Sequence, residues 1–122
     1  MTLMLCFSIA DAKCRRNVQM RYRNSNGWSK VYTKEVTLLS GKELNDATGT
    51  SDYNTYSHYC TVFWSPGEAT IIELKKKIEA CPSDISCNCI DNFVHLNWTG
   101  KDQDGDIWEI CLLREGFIPN CF

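Results

Sequence analysis

Histidine is nearly absent from this 122-residue chain, which has two, and proline is rare, with three. Two histidines leave little material for the imidazole-based metal sites and acid–base pairs on which many enzymes rely. No apolar run approaches the ~20 residues that a membrane-spanning helix takes, so a helical span is excluded. Neither sign of charge dominates. Thirteen basic and fifteen acidic residues leave a net charge of −2, too mild to point to a nucleic-acid or membrane partner. Repeats, low-complexity tracts and linkers are also missing, and the length suits one domain.

Cysteine, by contrast, is abundant. Eight cysteines in 122 residues are a burden in a reducing cytosol and a framework of staples in an oxidising compartment. The expected location is therefore secreted or periplasmic. The first twelve residues agree with export: Met1 to Ile9 is a short apolar run, and Ala10-Asp11-Ala12 fits an A-x-A cleavage site. Residues 1–12 thus read as a signal peptide, and 13–122 as a single β-rich domain. The competing reading makes Thr2–Ile9 a first buried strand. Six cysteines remain as disulfide candidates, Cys14, Cys81, Cys87, Cys89, Cys111 and Cys121, with on the order of a hundred pairings if all eight take part. Cys60 lies within the apolar stretch Tyr59–Trp64 and is expected to stay free as a small buried hydrophobe.

Three hairpins organise the rest. Val18, Met20 and Tyr22 alternate with Gln19, Arg21 and Arg23, the period of a half-buried strand. Asn26-Gly27 then signals a tight turn, and the returning strand runs from Trp28 through Tyr32, continuing to Leu39 after a bulge. In the second hairpin, a turn at Ser65–Glu68 places Trp64 opposite Ala69 and Val62 opposite Ile71, with both faces apolar and therefore covered. In the third, Val94, Leu96 and Trp98 pair with Leu112, Ile110 and Trp108 on one buried face. Ser40 and Glu43 have capping-box spacing ahead of a short helix that Gly49 ends, and Lys75–Ala80 suits one further turn. The expected fold is mainly β: a small antiparallel barrel or two-layer sheet of three hairpins, with one or two short helices, stapled by disulfides.

The motifs that carry chemistry are weak. Asp102, Asp104 and Asp106 have the spacing of a calcium loop, but Ile107 and Leu113 stand where an EF-hand needs Gly and Glu. A solvated turn on Asp104-Gly105 is expected instead. Cys81, Cys87, Cys89 and His95 lack the spacing of a structural zinc site. His95 beside Cys111, Asn97 and Glu109 would serve a nucleophile only if that thiol were free. The expectation is a non-enzyme that needs no metal or cofactor.

What remains points to binding. Lys13, Arg15, Arg16, Arg21, Arg23, Lys30 and Lys34 form a stretch with no acidic residue, a basic patch suited to an anionic partner. Of the four tryptophans, Trp28 is the one these registers bury least. Tyr53 and Tyr56 lie in a polar, aromatic segment with the composition of a binding loop. Arg21, Arg23, Trp28, Lys30, Lys34, Tyr53 and Tyr56 are therefore the candidate binding residues, for a protein or carbohydrate partner and not for nucleic acid or stable membrane insertion. The hairpin Phe63-Trp64-Ser65-Pro66-Gly67-Glu68-Ala69-Thr70 resembles one in the small periplasmic lysozyme inhibitors, which are exported, disulfide-bearing β-barrels. The resemblance covers that hairpin alone. The family's inhibitory loop has no counterpart, so no functional residue is carried over. Inhibition of a secreted or host hydrolase such as lysozyme is the alternative to a general binding module.

Overall fold

A computed structural model describes residues 14–81, 84–92, 97–113 and 121–122. Its elements are β1 (Cys14–Asn24), β2 (Gly27–Trp28), β3 (Tyr32–Ser40), α1 (Gly41–Thr48), β4 (His58–Ser65), β5 (Glu68–Leu74), α2 (Cys87–Asp91), β6 (Asn97–Lys101) and β7 (Ile107–Leu112). All strand pairs are antiparallel. β1 pairs with β3 along Cys14–Met20 and with β7 along Val18–Arg23, which closes β1, β3, β4, β5, β6 and β7 into a six-stranded barrel. The row of neighbours Arg23, Ile107, Lys101, Glu73, Tyr59 and Leu39 returns to β1 at its other end, beside Cys14. Strands in a barrel so staggered are steeply tilted.

The alternation in β1 sends Val18 and Met20 into the barrel, both fully buried. The turn differs slightly from the Asn-Gly expectation. Asn24 pairs with Gly27, Asn24 Oδ1 accepts the Asn26 N–H at 2.8 Å, and Gly27 alone takes a positive φ of 103°. After Trp28 the strand leaves the ladder at Ser29–Val31 and resumes at Tyr32, opposite Met20. The break thus falls before Tyr32, where a continuous strand was expected, and the ladder runs without the expected bulge from Tyr32 to Leu38.

In the second hairpin the expected register is wrong by one residue. Phe63 lies opposite Ala69, Val62 opposite Thr70 and Cys60 opposite Ile72, and a bulge between Phe63 and Ser65 absorbs Trp64. The extra residue turns β5 over relative to β4. Ile72 now packs inside with Cys60 and Val62, while Ile71 joins Leu39, Leu44 and Tyr59 in a second cluster on the outside. Both faces are covered as expected, the outer one by α1. Ser40 caps that helix through the reciprocal Ser40–Glu43 box, and Gly49 ends it at φ 69°.

The third hairpin is displaced by two residues: Trp98 faces Ile110 and Gly100 faces Trp108. A shift of two keeps each side chain on its face, so Trp108 is buried and Trp98 half-buried, but they are not a cross-strand pair. Two features fix this register. Asp102 closes the loop, its N–H bonding Asp106 O at 3.0 Å while its carbonyl accepts from Gly105. Gly100 has no room for a side chain, since a Cβ there would collide with the Glu73 carbonyl and sit 2.7 Å from Ile72 Cγ2. The expected partners Val94 and Leu96, with His95 and residues 1–13, lie outside the described residues.

One barrel end is sealed by the segment after β5, which puts Ile78, Ile85 and Ile90 into the core. At Lys75–Ala80 only a single tight turn forms, closed by Cys81 N–H to Ile78 O at 3.0 Å. No helix grows from it, since Lys75 N–H is taken by Thr99 O at 2.9 Å and Ile78 N–H by His58 Nδ1 at 3.0 Å. Helix appears instead at α2, capped by Ser86. Disulfides Cys14–Cys87 and Cys81–Cys89 fasten this plug, and Cys111–Cys121 fastens the last described residues to β7. Joining positions 73 apart in sequence, Cys14–Cys87 contributes roughly 4 kcal/mol in the chain-entropy account. Glu43 Oε1 ties the plug to α1 by accepting from both Ser40 N–H at 2.9 Å and Ile85 N–H at 3.1 Å.

Cys60 is free, wholly buried, and its thiol is pushed up in pKa by desolvation. Peptide mapping under non-reducing conditions is expected to recover the three bridges, with Cys60 resisting iodoacetamide until denaturant is added. Gly100→Ala is expected to lower stability by at least about 1–3 kcal/mol in urea titration, since the added methyl meets backbone as well as side chain.

Candidate functional site

The barrel end opposite the plug is a mouth built from rings. Tyr22, Tyr32, Trp64 and Trp108 form a closed circuit of contacts: centroids are 6.4 Å apart for Tyr22–Tyr32, 5.2 Å for Tyr32–Trp64, 6.2 Å for Trp64–Trp108 and 5.0 Å for Trp108–Tyr22. Each comes from a different strand, so the circuit exists only because the sheet closes. The bulge at Trp64 brings its ring into this set, where Nε1 donates to Thr70 Oγ1 at 2.7 Å. Trp108 Nε1 donates to Asp102 Oδ2 at 2.8 Å. Asp102 Oδ1 accepts the backbone N–H groups of Asp104 and Asp106 at 2.9 and 3.0 Å, so this carboxylate organises the β6–β7 loop rather than offering its oxygens to a cation. Among the described residues no group of three His, Cys, Asp or Glu side chains converges to hold a metal.

The second concave surface lies on the outer wall. A groove of about 870 Å³ is lined by Arg23 and Trp28 at one side, Ile107, Glu109 and Lys101 across the middle, and Glu73, Lys75 and Ser57 at the other. Strand parity explains the grouping. Arg23, Ile107, Lys101 and Glu73 occupy one row of outward positions, and Arg21, Glu109 and Thr99 the next. Arg21 is held by Glu109, with its Nη2 2.8 Å from Oε1, and its guanidinium lies 4.1 Å from the Trp28 ring centroid and 4.6 Å from that of Phe122. Trp28 keeps 42% of its surface exposed. A smaller hollow of about 450 Å³ adjoins along Lys75, Thr99 and Glu109 and adds Lys76, Lys77, Trp98 and Phe122.

The basic residues of the first hairpin are therefore not one face. Arg21, Arg23 and Trp28 project from the outer wall. Lys34 sits opposite Val18 on the inward row, with its Nζ 5.2 Å from the Trp64 ring, and Lys30 Nζ lies 5.1 Å from the Tyr32 ring. Expecting all four cations side by side overlooked that alternation in β3 puts Lys34 inward. Of the tyrosines, Tyr53 packs edge-on against Tyr59 at 5.5 Å in the outer cluster, while Tyr56 is 78% exposed and immediately precedes the groove residue Ser57. Lys75, Lys101 and Glu109 were not among the sequence candidates. The run Lys75-Lys76-Lys77 was a visible signal for part of this surface, whereas Lys101 and Glu109 join it only through the barrel's stagger.

Other reactive groups have structural tasks. His58 is buried and its Nδ1 holds the Ile78 N–H. Tyr59 is buried against the loop that follows α1, and its Oη accepts the Asn54 N–H at 2.9 Å. Comparison with protein-family models, with characterised proteins and with solved structures finds no match. Function must therefore be reasoned from the two surfaces themselves.

Burial raises the Tyr59 phenol to about 12 from an ordinary value near 10. A pKa raised on folding adds stability below about 10, and that stability is lost as pH rises toward 12. Chemical denaturation across this window is expected to show a steeper fall for the native protein than for Tyr59→Phe, which has no phenol to ionise at that position.

Proposed function

We propose that this protein is an exported, non-catalytic binding module that engages an anionic macromolecular partner, protein or carbohydrate, along the outer wall of its barrel. One observation carries the reading. Among the described residues Arg23, Lys75 and Lys101 line the groove without an ion pair. Of its three carboxylates Glu109 is paired with Arg21, Asp102 accepts from the Trp108 indole and two backbone N–H groups, and Glu73 accepts from Ser57 Oγ at 2.8 Å. With Arg21 counted, four cations stand against three carboxylates here, so the surface is locally positive although the chain as a whole is at −2. Exposed cations of this sort raise encounter rates and confer salt dependence.

Trp28 supplies a flat, partly exposed surface beside them, already stacked by Arg21 and, at 5.3 Å, by Arg23. A guanidinium held against an indole has little freedom left to lose when it pairs with a partner's carboxylate or sulfate. The adjoining Lys75-Lys76-Lys77 run extends the positive surface beyond the groove. Three disulfides among the described residues suit an oxidising compartment.

The test is charge reversal at positions that do not support the fold. Arg23→Glu with Lys101→Glu is expected to leave the melting temperature within about 2 °C of the parent, because exposed, unpaired charges add little stability. Binding to acidic proteins or to sulfated and uronate glycans on an array is expected to fall at least tenfold. A parent protein that binds no anionic target, or a double variant that binds as well as the parent, overturns the proposal. Loss of lysozyme or protease activity on addition of the protein would replace it with the inhibitor reading.

A further inference from the structure

We propose that the barrel mouth binds a compact organic cation of the quaternary-ammonium class. This site is separate in chemistry from the outer wall and goes beyond the function proposed above. The mouth holds a shallow cavity of about 230 Å³ lined by Tyr22, Tyr32, Trp64 and Trp108 on one side and by Thr70 and Asp102, Asp104 and Asp106 on the other. The polar atoms of its indoles are already satisfied by Thr70 and Asp102. Half-buried Trp64 therefore has only π surface left to offer, with the buried Trp108 ring packed behind it, and π faces attract cations.

Charge agrees with the rings. Asp104 and Asp106 carry carboxylates that form no ion pair among the described residues, and both border the cavity. The protein itself uses two of the same rings as cation acceptors, since Lys34 Nζ and Lys30 Nζ lie 5.2 and 5.1 Å from Trp64 and Tyr32. A hard metal ion is the wrong occupant. It wants six or more oxygens, and Asp102 has committed both of its own to N–H donors. An alkylated ammonium needs no hydrogen-bond acceptor, only negative potential and apolar contact, and the mouth supplies both.

Choline is the probe, and 3,3-dimethyl-1-butanol is its neutral counterpart of the same shape. In the full chain, choline is expected to shift the indole N–H resonances of Trp64 and Trp108 saturably, and the neutral alcohol to bind at least tenfold more weakly. Asp104→Asn with Asp106→Asn removes one exposed and one half-buried charge, neither in an ion pair among the described residues, and is expected to weaken choline several-fold with little change in the melting temperature. Lys34→Met removes a competing cation and is expected to strengthen choline binding. Trp64→Ala should abolish it, and the aspartate pair keeps the test decisive if that variant fails to fold. Co-sedimentation with phosphatidylcholine vesicles distinguishes a lipid headgroup from a free solute as the natural source. Equal binding of the neutral alcohol, no response to choline, or a response to calcium alone overturns the proposal.

Discussion

β1 hydrogen-bonds on both edges, to β3 along its first half and to β7 along its second, and that double pairing gives the molecule an inside, a mouth and a wall. Without β7 on its far edge the sheet would be open, Tyr22 and Trp108 would lie at opposite margins, and no ring circuit would form. Arg21 would also lose Glu109, its neighbour across the same seam. Both candidate surfaces are therefore consequences of closure rather than of local sequence, and this is why neither is visible as a motif.

The two ends of the barrel are finished by different chemistry. At the plugged end isoleucines fill the core and the links are covalent or involve buried polar groups: Cys14–Cys87, Cys81–Cys89, and Glu43 holding Ile85. Arg16 adds a paired contact to Asp91, at 3.1 and 2.7 Å. At the mouth the links are π contacts and hydrogen bonds from indole, which hold the rings in place yet leave surface for a ligand. A rigid scaffold with an adaptable rim is the usual division between elements that specify a fold and those that recognise something.

Much of this was legible in the chain. The inward alternation of Val18 and Met20 and the capping box at Ser40 follow from local spacing of two or three residues. The six bridged cysteines follow from their number and the free Cys60 from its apolar neighbours, though not which cysteine joins which. The errors share a cause. Trp64 leaves the ladder because its ring has a place in the mouth, and Trp108 faces Gly100 because the Asp102 loop and the Glu73 carbonyl fix the register. Each depends on a partner far away in sequence that hydrophobic periodicity does not register. Lys34 shows the same limit, since the solvent-side reading of a basic residue fails where a long stem can run along an aromatic rim.

The closing seam also sets an order of events in time. Synthesis delivers the chain in N-to-C order, so β1 emerges long before β7, the strand that covers its second edge. During that interval one row of its N–H and C=O groups is unpaired, a template for association with other chains. The thiol of Cys14 likewise waits for a partner 73 residues downstream, while Cys60 and Cys81 pass it first. Assembly of a barrel joined by such distant contacts is slow relative to locally wired folds. Conditions that let disulfides exchange and keep the unpaired edge of β1 from other chains are thus the ones expected to favour recovery of this small domain.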